Sequence, residues 1–337
     1  MTSVQGAAIL GCAGAELLAE EAAFFRAADP WGFILFARNV ETPAQLRRLT
    51  ASLREAVGRN APIFTDQEGG RVQRLRAPHW REWRPPLDFV AAAGEHAARA
   101  LWLRYRLIAH ELRGVGIDGN CSPCLDVARP ETHPFLRNRC LSDDVGQVSR
   151  LGRVVADAHL QGGVLPVVKH MPGHGRGIAD SHLDLPETDA ALATLTASDF
   201  APFAAMSDLP LGMTSHLVYR ALDTRPATTS ATVIAHVRDK IGFGGLLMTD
   251  DLSMQALAGT LPERAAAAIA AGCDIALYCK AEMHDAEAVV RAVGAMTPAA
   301  SLRAEQAIAA RHQPAPVDIA ALEAELRGLT SGAIHAG

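Results

Sequence analysis

Leu165-Pro-Val-Val-Lys-His170 is a short apolar run that ends on an ammonium and an imidazole. Three other runs close the same way. Pro62-Ile-Phe-Thr-Asp66 ends on a carboxylate, Leu211-Gly-Met-Thr-Ser-His216 on an imidazole, and Gly245-Leu-Leu-Met-Thr-Asp-Asp251 on two carboxylates. A charge at the end of an apolar strand is costly unless it faces a wet mouth or a partner. One such residue can be a cap for the helix that follows; four at corresponding places point to a shared rim. Apolar runs recur at residues 7–10, 32–37, 62–66, 120–127, 165–170, 211–216, 246–250 and 274–278. Between them lie alanine- and leucine-rich stretches with helical period. Thr42-Pro43 opens one over 42–57, a cap followed by proline at the first helical position. Stretches 97–114 and 144–162 read alike, and 262–271 stops at Gly272. Alternating strands and helices imply a parallel sheet with buried strands. Eight strands favour an α/β fold closed as a single (β/α)8 TIM-type barrel, irregular in its first strands. An open doubly wound sheet is the competing architecture, but no Gly-x-Gly-x-x-Gly follows an early strand. Barrel enzymes build their sites at the C-terminal ends of the strands, where these charged residues fall.

The chain has 337 residues, 49% hydrophobic and 20% charged, enough for a sizeable core. We read residues 1–337 as one catalytic domain, with a helical closing segment from about 281 that Pro314 and Pro316 interrupt. A net charge of -5 and 5% aromatics argue against nucleic acid as a partner. No apolar run approaches the roughly 20 residues of a membrane span. Ile9-Leu10-Gly11-Cys12 resembles a lipoprotein cleavage box, but the first basic residue is Arg26, so residues 7–10 read as a first barrel strand. Cys121-Ser-Pro-Cys124 lacks the second pair that a structural zinc site needs. The six thiols read as reduced and mostly buried, and the compartment as cytoplasmic.

Lys169-His-Met-Pro-Gly-His-Gly-Arg-Gly-Ile-Ala-Asp-Ser-His182 packs three histidines, a lysine and an aspartate into fourteen residues. A metal site is one reading, but the Pro-Gly between His170 and His174 excludes a helical ligand pair, and no metal is expected. The preferred reading pairs Asp180 with His182. Two apart in an extended loop, they can project to one side, so the carboxylate orients the imidazole and favours its protonated form. A histidine of pKa about 6.5 is then a usable acid and base near neutrality.

These residues resemble glycoside hydrolase family 3, specifically its bacterial β-N-acetylglucosaminidases of cell-wall recycling. The resemblance covers most of the chain. It is carried by Gly32-Phe-Ile-Leu-Phe-Ala-Arg-Asn39, Asp66-Gln-Glu-Gly-Gly-Arg-Val-Gln-Arg74, Lys169-His-Met-Pro-Gly-His-Gly175, Asp180-Ser-His182 and Met248-Thr-Asp-Asp-Leu-Ser-Met254. It implies Asp250 as nucleophile and His182 as general acid/base assisted by Asp180. Asp66, Arg74, Lys169 and His170 carry over as sugar-binding residues. Arg139, in Leu136-Arg-Asn-Arg-Cys-Leu141, is similar to the family's substrate-binding arginine, with Arg137 as a nearby rival. Asp251 reads as a neighbour that orients or caps. Met171 stands where the family carries an aromatic, a packing change that leaves the polar roles intact.

The resemblance implies a retaining hydrolase that removes terminal non-reducing β-linked N-acetylglucosamine from muropeptide-like fragments in peptidoglycan recycling, through a covalent glycosyl-enzyme. It implies a saccharide partner and no cofactor, and a monomer is favoured. Three rivals share the same residues. One is a phosphorylase with phosphate as the acceptor. Another is an aldolase forming a Schiff base on Lys169. The third is a sugar-binding protein without turnover.

Overall fold

The computed structural model describes residues 4–177 and 185–330. Its core is a ring of eight strands: β1 (Gly6–Gly11), β2 (Pro30–Leu35), β3 (Ile63–Thr65), β4 (Gly119–Asn120), β5 (Leu165–Met171), β6 (Leu211–Thr214), β7 (Leu246–Met248) and β8 (Ala276–Tyr278). The order is β7-β6-β5-β4-β3-β2-β1-β8, and every neighbouring pair is parallel. A parallel bridge from Met248 to Ile275, with Thr249 N–H donating to the Ile275 carbonyl at 3.0 Å, joins β7 to β8 and closes the barrel. The eight-stranded expectation holds, and the open sheet is excluded.

All eight expected strands are present, with different ends. Run 120–127 pairs as a strand only over Gly119–Asn120. Pro123 has no N–H for the ladder, so the rest follows β5 through separate contacts, such as Leu125 N–H to the Lys169 carbonyl at 2.7 Å. Helices start where the caps said. Thr42 accepts from Gln45 N–H at 3.2 Å to begin Pro43–Val57, and Asp144 accepts from Gln147 N–H at 2.7 Å to begin Val145–Gln161. Ala97–Gly114 matches its expected span, and Leu261–Ala271 ends at Gly272 with φ 110°. Beyond residue 281 lie helices Met283–Val293, Pro298–Ala309 and Ile319–Leu329. The last is tied to Ala97–Gly114 by a two-pronged Arg99–Glu325 contact at 2.6 and 2.8 Å.

The strands are apolar and buried: Leu10, Phe33, Phe64, Val168, Met213, Leu247 and Leu277 are all shielded from solvent. The six cysteines are free, five of them buried. Just past β3 the chain turns into a small hairpin, Gln67–Gly69 against Val72–Gln73, which stands on the C-terminal rim. Asn120, at the end of β4, accepts from Gln67 N–H at 2.8 Å and donates to the Gln67 carbonyl at 3.0 Å, fixing the hairpin on the barrel.

Candidate active site

The C-terminal ends of the strands surround a cavity of about 160 Å³. Six residues singled out in the sequence line it together: Asp66 beyond β3, Arg74 on the hairpin's exit, Arg139 after the short helix Pro134–Arg137, Lys169 and His170 at the end of β5, and Asp250 beyond β7. Asp180 and His182 lie outside the described residues.

One wall is a network of alternating charges. Asp66 meets Arg74 at 2.9 Å and the Lys169 ammonium at 3.0 Å. Lys169 also meets Glu68 at 2.6 Å, and Glu68 takes Arg139 through two parallel bonds of 2.9 and 2.8 Å. Burial would raise the Asp66 carboxyl, but Lys169 and Arg74 outweigh it and hold it far below the usual carboxylate range. The same contest, won by Arg139 and Lys169, draws Glu68 down to about 2. Burial would lower Lys169, yet Glu68 and Asp66 push its ammonium above the ordinary lysine value. A Schiff-base lysine must present a free amine. Lys169 is cationic, wedged between two carboxylates and 1% exposed, which sets the aldolase reading aside.

Beside the network, His170 Nδ1 lies 2.7 Å from Asp126 Oδ2, and its Nε2 turns towards Arg139. Asp126 is fully buried, and its other oxygen accepts from the N–H groups of His170 and His174 at 3.3 and 2.6 Å. Asp250 lines the same cavity. Burial would raise it, but His170 and then His216 outweigh that and hold its carboxyl below the ordinary value, so it is an anion. Asp250 accepts from Asp251 N–H at 2.8 Å, while Asp251 caps the following turn, taking Ser253 N–H at 3.0 Å and Cys279 N–H at 3.2 Å. This is the orienting place expected for Asp251.

His216 does not line the cavity. It is buried beneath it, with Nε2 3.0 Å from the Asp251 carbonyl and Nδ1 2.8 Å from the Thr228 hydroxyl. Burial lowers its pKa; the neutral ring donates from Nε2 and accepts at Nδ1. Of the rival arginines, Arg139 lines the cavity, whereas Arg137 is spent on the Arg129 carbonyl.

Sequence reasoning assigned no role to three residues here. Glu68 stood inside a quoted motif, and Asp126 is the last residue but one of the fourth apolar run; a charge so near a strand end could have pointed to it. His174 was weighed only as a metal ligand. Its ring is buried on the cavity wall, edge-on to Phe135 and His170, and among the described residues neither ring nitrogen has a hydrogen-bond partner. Burial lowers its pKa to about 4, so the ring is neutral. Among the described residues, Cys124, Asp126 and His170 bring a thiol, a carboxylate and a ring nitrogen within 4.8 Å of one another. These groups already satisfy each other, the thiol donating to Asp126 at 3.2 Å, and no ligand role is assigned to them.

Residues 16–310 match the family described as "Glycosyl hydrolase family 3 N terminal domain". The chain is 37% identical over 308 residues to a beta-hexosaminidase of Tolumonas auensis, covering 89% of each protein. It is 37% identical over 282 residues to one of Alkalilimnicola ehrlichii, covering 81% of this chain and 80% of that one. Native NagZ from Neisseria gonorrhoeae superposes with a TM-score of 0.84 at 29% identity, over 98% of this chain and 97% of that one. The same enzyme in complex with N-trifluoroacetyl-D-glucosamine gives 0.85 at 30% identity, over 97% and 98%. A match this long, on a barrel whose rim gathers Asp66, Arg74, Lys169, His170 and Asp250 in one cavity, makes the chain a glycosidase of glycosyl hydrolase family 3, among its β-hexosaminidases.

Proposed function

We propose that this chain removes terminal non-reducing β-linked N-acetylglucosamine from muropeptide-like fragments by double displacement. The observation that carries this is the meeting of one partly buried, anionic Asp250 with a network of charged side chains in a single small cavity. In the first step the Asp250 carboxylate attacks C1, the bond from C1 to the leaving oxygen breaks, and His182 protonates that oxygen. In the second, His182 takes a proton from water, which attacks C1 and releases Asp250. Asp180 orients His182. Asp66, Arg74, Lys169, His170 and Arg139 hold the sugar hydroxyls, with part of that binding expressed only in the transition state. The acetamido preference is supported by the gonococcal enzyme's complex with an N-acylated glucosamine. Among the described residues no helix is long and apolar enough to cross a membrane; we take the chain as one catalytic unit working as a monomer in the cytoplasm.

The test is turnover of an aryl β-N-acetylglucosaminide against the matching aryl β-glucoside, in phosphate-free buffer. Release of free N-acetylglucosamine, with the glucoside turned over far more slowly, is the expected result. Equal rates would overturn the acetamido preference. Activity that depends on phosphate would make the chain a phosphorylase.

A further inference from the structure

Glu68 lies two residues beyond Asp66 in the rim hairpin, is 1% exposed, and is not among the residues that line the cavity. Both its oxygens are nevertheless spent on residues that are. Arg139 Nε and Nη2 meet it at 2.9 and 2.8 Å, and Lys169 Nζ at 2.6 Å. Arg139 and Lys169 are themselves almost wholly buried. We propose that Glu68 is a positioning residue of the sugar pocket, which touches no substrate but aims the Arg139 guanidinium and the Lys169 ammonium at the bound sugar. The proposal rests on the glycosidase reading above.

The donor arithmetic supports it. An ammonium carries three N–H groups on a flexible stem. Glu68 takes one and Asp66 another, so a single donor is left, and its direction is fixed. Arg139 gives two of its five donors to Glu68 and presents the remaining edge. Donors tethered in advance lose little freedom when a hydroxyl arrives.

Glu68 also decides the charge on Lys169. The groups facing that ammonium are Glu68 and Asp66 from the turn after β3, Arg139 from the loop beyond Pro134–Arg137, the Cys121 thiol after β4, and Asp250 after β7. Burial opposes the charge first; Glu68 is the strongest group favouring it, ahead of Asp66, while Arg139 opposes it. With Glu68 neutralised, burial and Arg139 act against Asp66 and weaker support, and Lys169 loses its proton at lower pH.

The chain has three lysines, Lys169, Lys240 and Lys280, so protein labelled with ¹³C-lysine gives three Cε resonances, assignable with Lys240→Arg and Lys280→Arg. In the wild type the Lys169 resonance should not titrate below the ordinary lysine value of about 10.4. In Glu68→Gln it should titrate below that value. Affinity for N-acetylglucosamine, measured by calorimetry, should fall about tenfold or more and weaken further as Lys169 deprotonates. Glu68→Asp keeps the charge but cannot reach both cations. Its affinity should fall without the new pH dependence.

An unshifted Lys169 resonance in Glu68→Gln would overturn the proposal, whatever the activity. If that variant does not fold, wild-type affinity in Glu68→Asp would overturn it. Should the resonance shift as expected while the wild type binds and hydrolyses no N-acetylglucosaminide, the glycosidase reading is the one that fails.

Discussion

Asp250 and His182 divide the proposed chemistry, and their pH behaviour separates them. The Asp250 carboxyl is held below its ordinary value by His170 and His216 against its own burial. A carboxylate so depressed stays anionic as pH falls through the usual range and is lost only below it. kcat/KM should therefore hold on the acid side until pH drops below about 3.9, provided the fold survives. His182 must enter the first step protonated, so the alkaline limb belongs to it. Replacing His170 by Asn removes the strongest group favouring the Asp250 anion and should move the acid limb upward. An acid limb near neutrality in the wild type would assign the nucleophile elsewhere. Asp250→Ala should cut turnover by roughly 10⁴-fold or more, with the melting transition retained. His182→Ala should cost about 10²–10⁴-fold on a poor leaving group and much less on an activated aryl glycoside, which needs little protonation. A uniform loss across leaving groups would speak against the acid/base role.

The rim hairpin shows how a local element serves the site. Gly69 has φ 119°, a region open to glycine and strained for other residues. A Cβ there would also lie 2.6 Å from the Arg84 carbonyl and overlap the buried Arg104 guanidinium. That guanidinium holds the Glu68 carbonyl and the Arg84 carbonyl together beneath the turn, and it packs over Phe89 at 4.6 Å. Gly69→Ala should thus destabilise the fold by roughly 2 kcal/mol or more in a denaturant melt, and should weaken sugar binding because Glu68 moves with the turn. Unchanged stability and affinity would mean that the hairpin does not need this backbone geometry. Much of this level was legible beforehand. Thr42 and Asp144 announce their helices because a cap is a short-range hydrogen bond, written in adjacent residues. The hairpin was not legible, since its two strands are only three and two residues long and its support, Arg104, arrives from a helix 35 positions downstream. Glu68 escaped for the same reason: its partners, at positions 139 and 169, become neighbours only when the barrel closes.

At the scale of the whole barrel, the two rims carry charge for opposite purposes. On the C-terminal side the strand-end residues Asp66, Lys169, His170 and Asp250 line the cavity, and their place at the ends of apolar runs was legible in the sequence. The N-terminal side holds a second set that was not, because a charge at the start of an apolar run looks like any loop residue. Asp118, just before β4, pairs with Arg54 at 2.5 Å and with Arg311. Asp274, just before β8, takes Arg238 at 2.7 Å and Arg303 at 2.8 Å and accepts from Leu247 N–H at 2.9 Å. Arg303 lies in Pro298–Ala309 and Arg311 just beyond it, so these aspartates fasten the C-terminal helical segment to the barrel's base. In barrels of this kind one rim works and the other holds. Asp274→Ala strands two guanidiniums and a backbone N–H, though Arg303 is partly solvated. It should destabilise the fold by about 2–3 kcal/mol while leaving kcat/KM on an aryl N-acetylglucosaminide close to wild type below the melting transition. Asp250→Ala should do the reverse, removing turnover and leaving the melt in place. Measured side by side, the two variants test whether the rims are independent. A large fall in kcat/KM for Asp274→Ala in the still-folded protein would show that the base of the barrel also tunes the site, through the β7 strand that carries Asp250 at its far end.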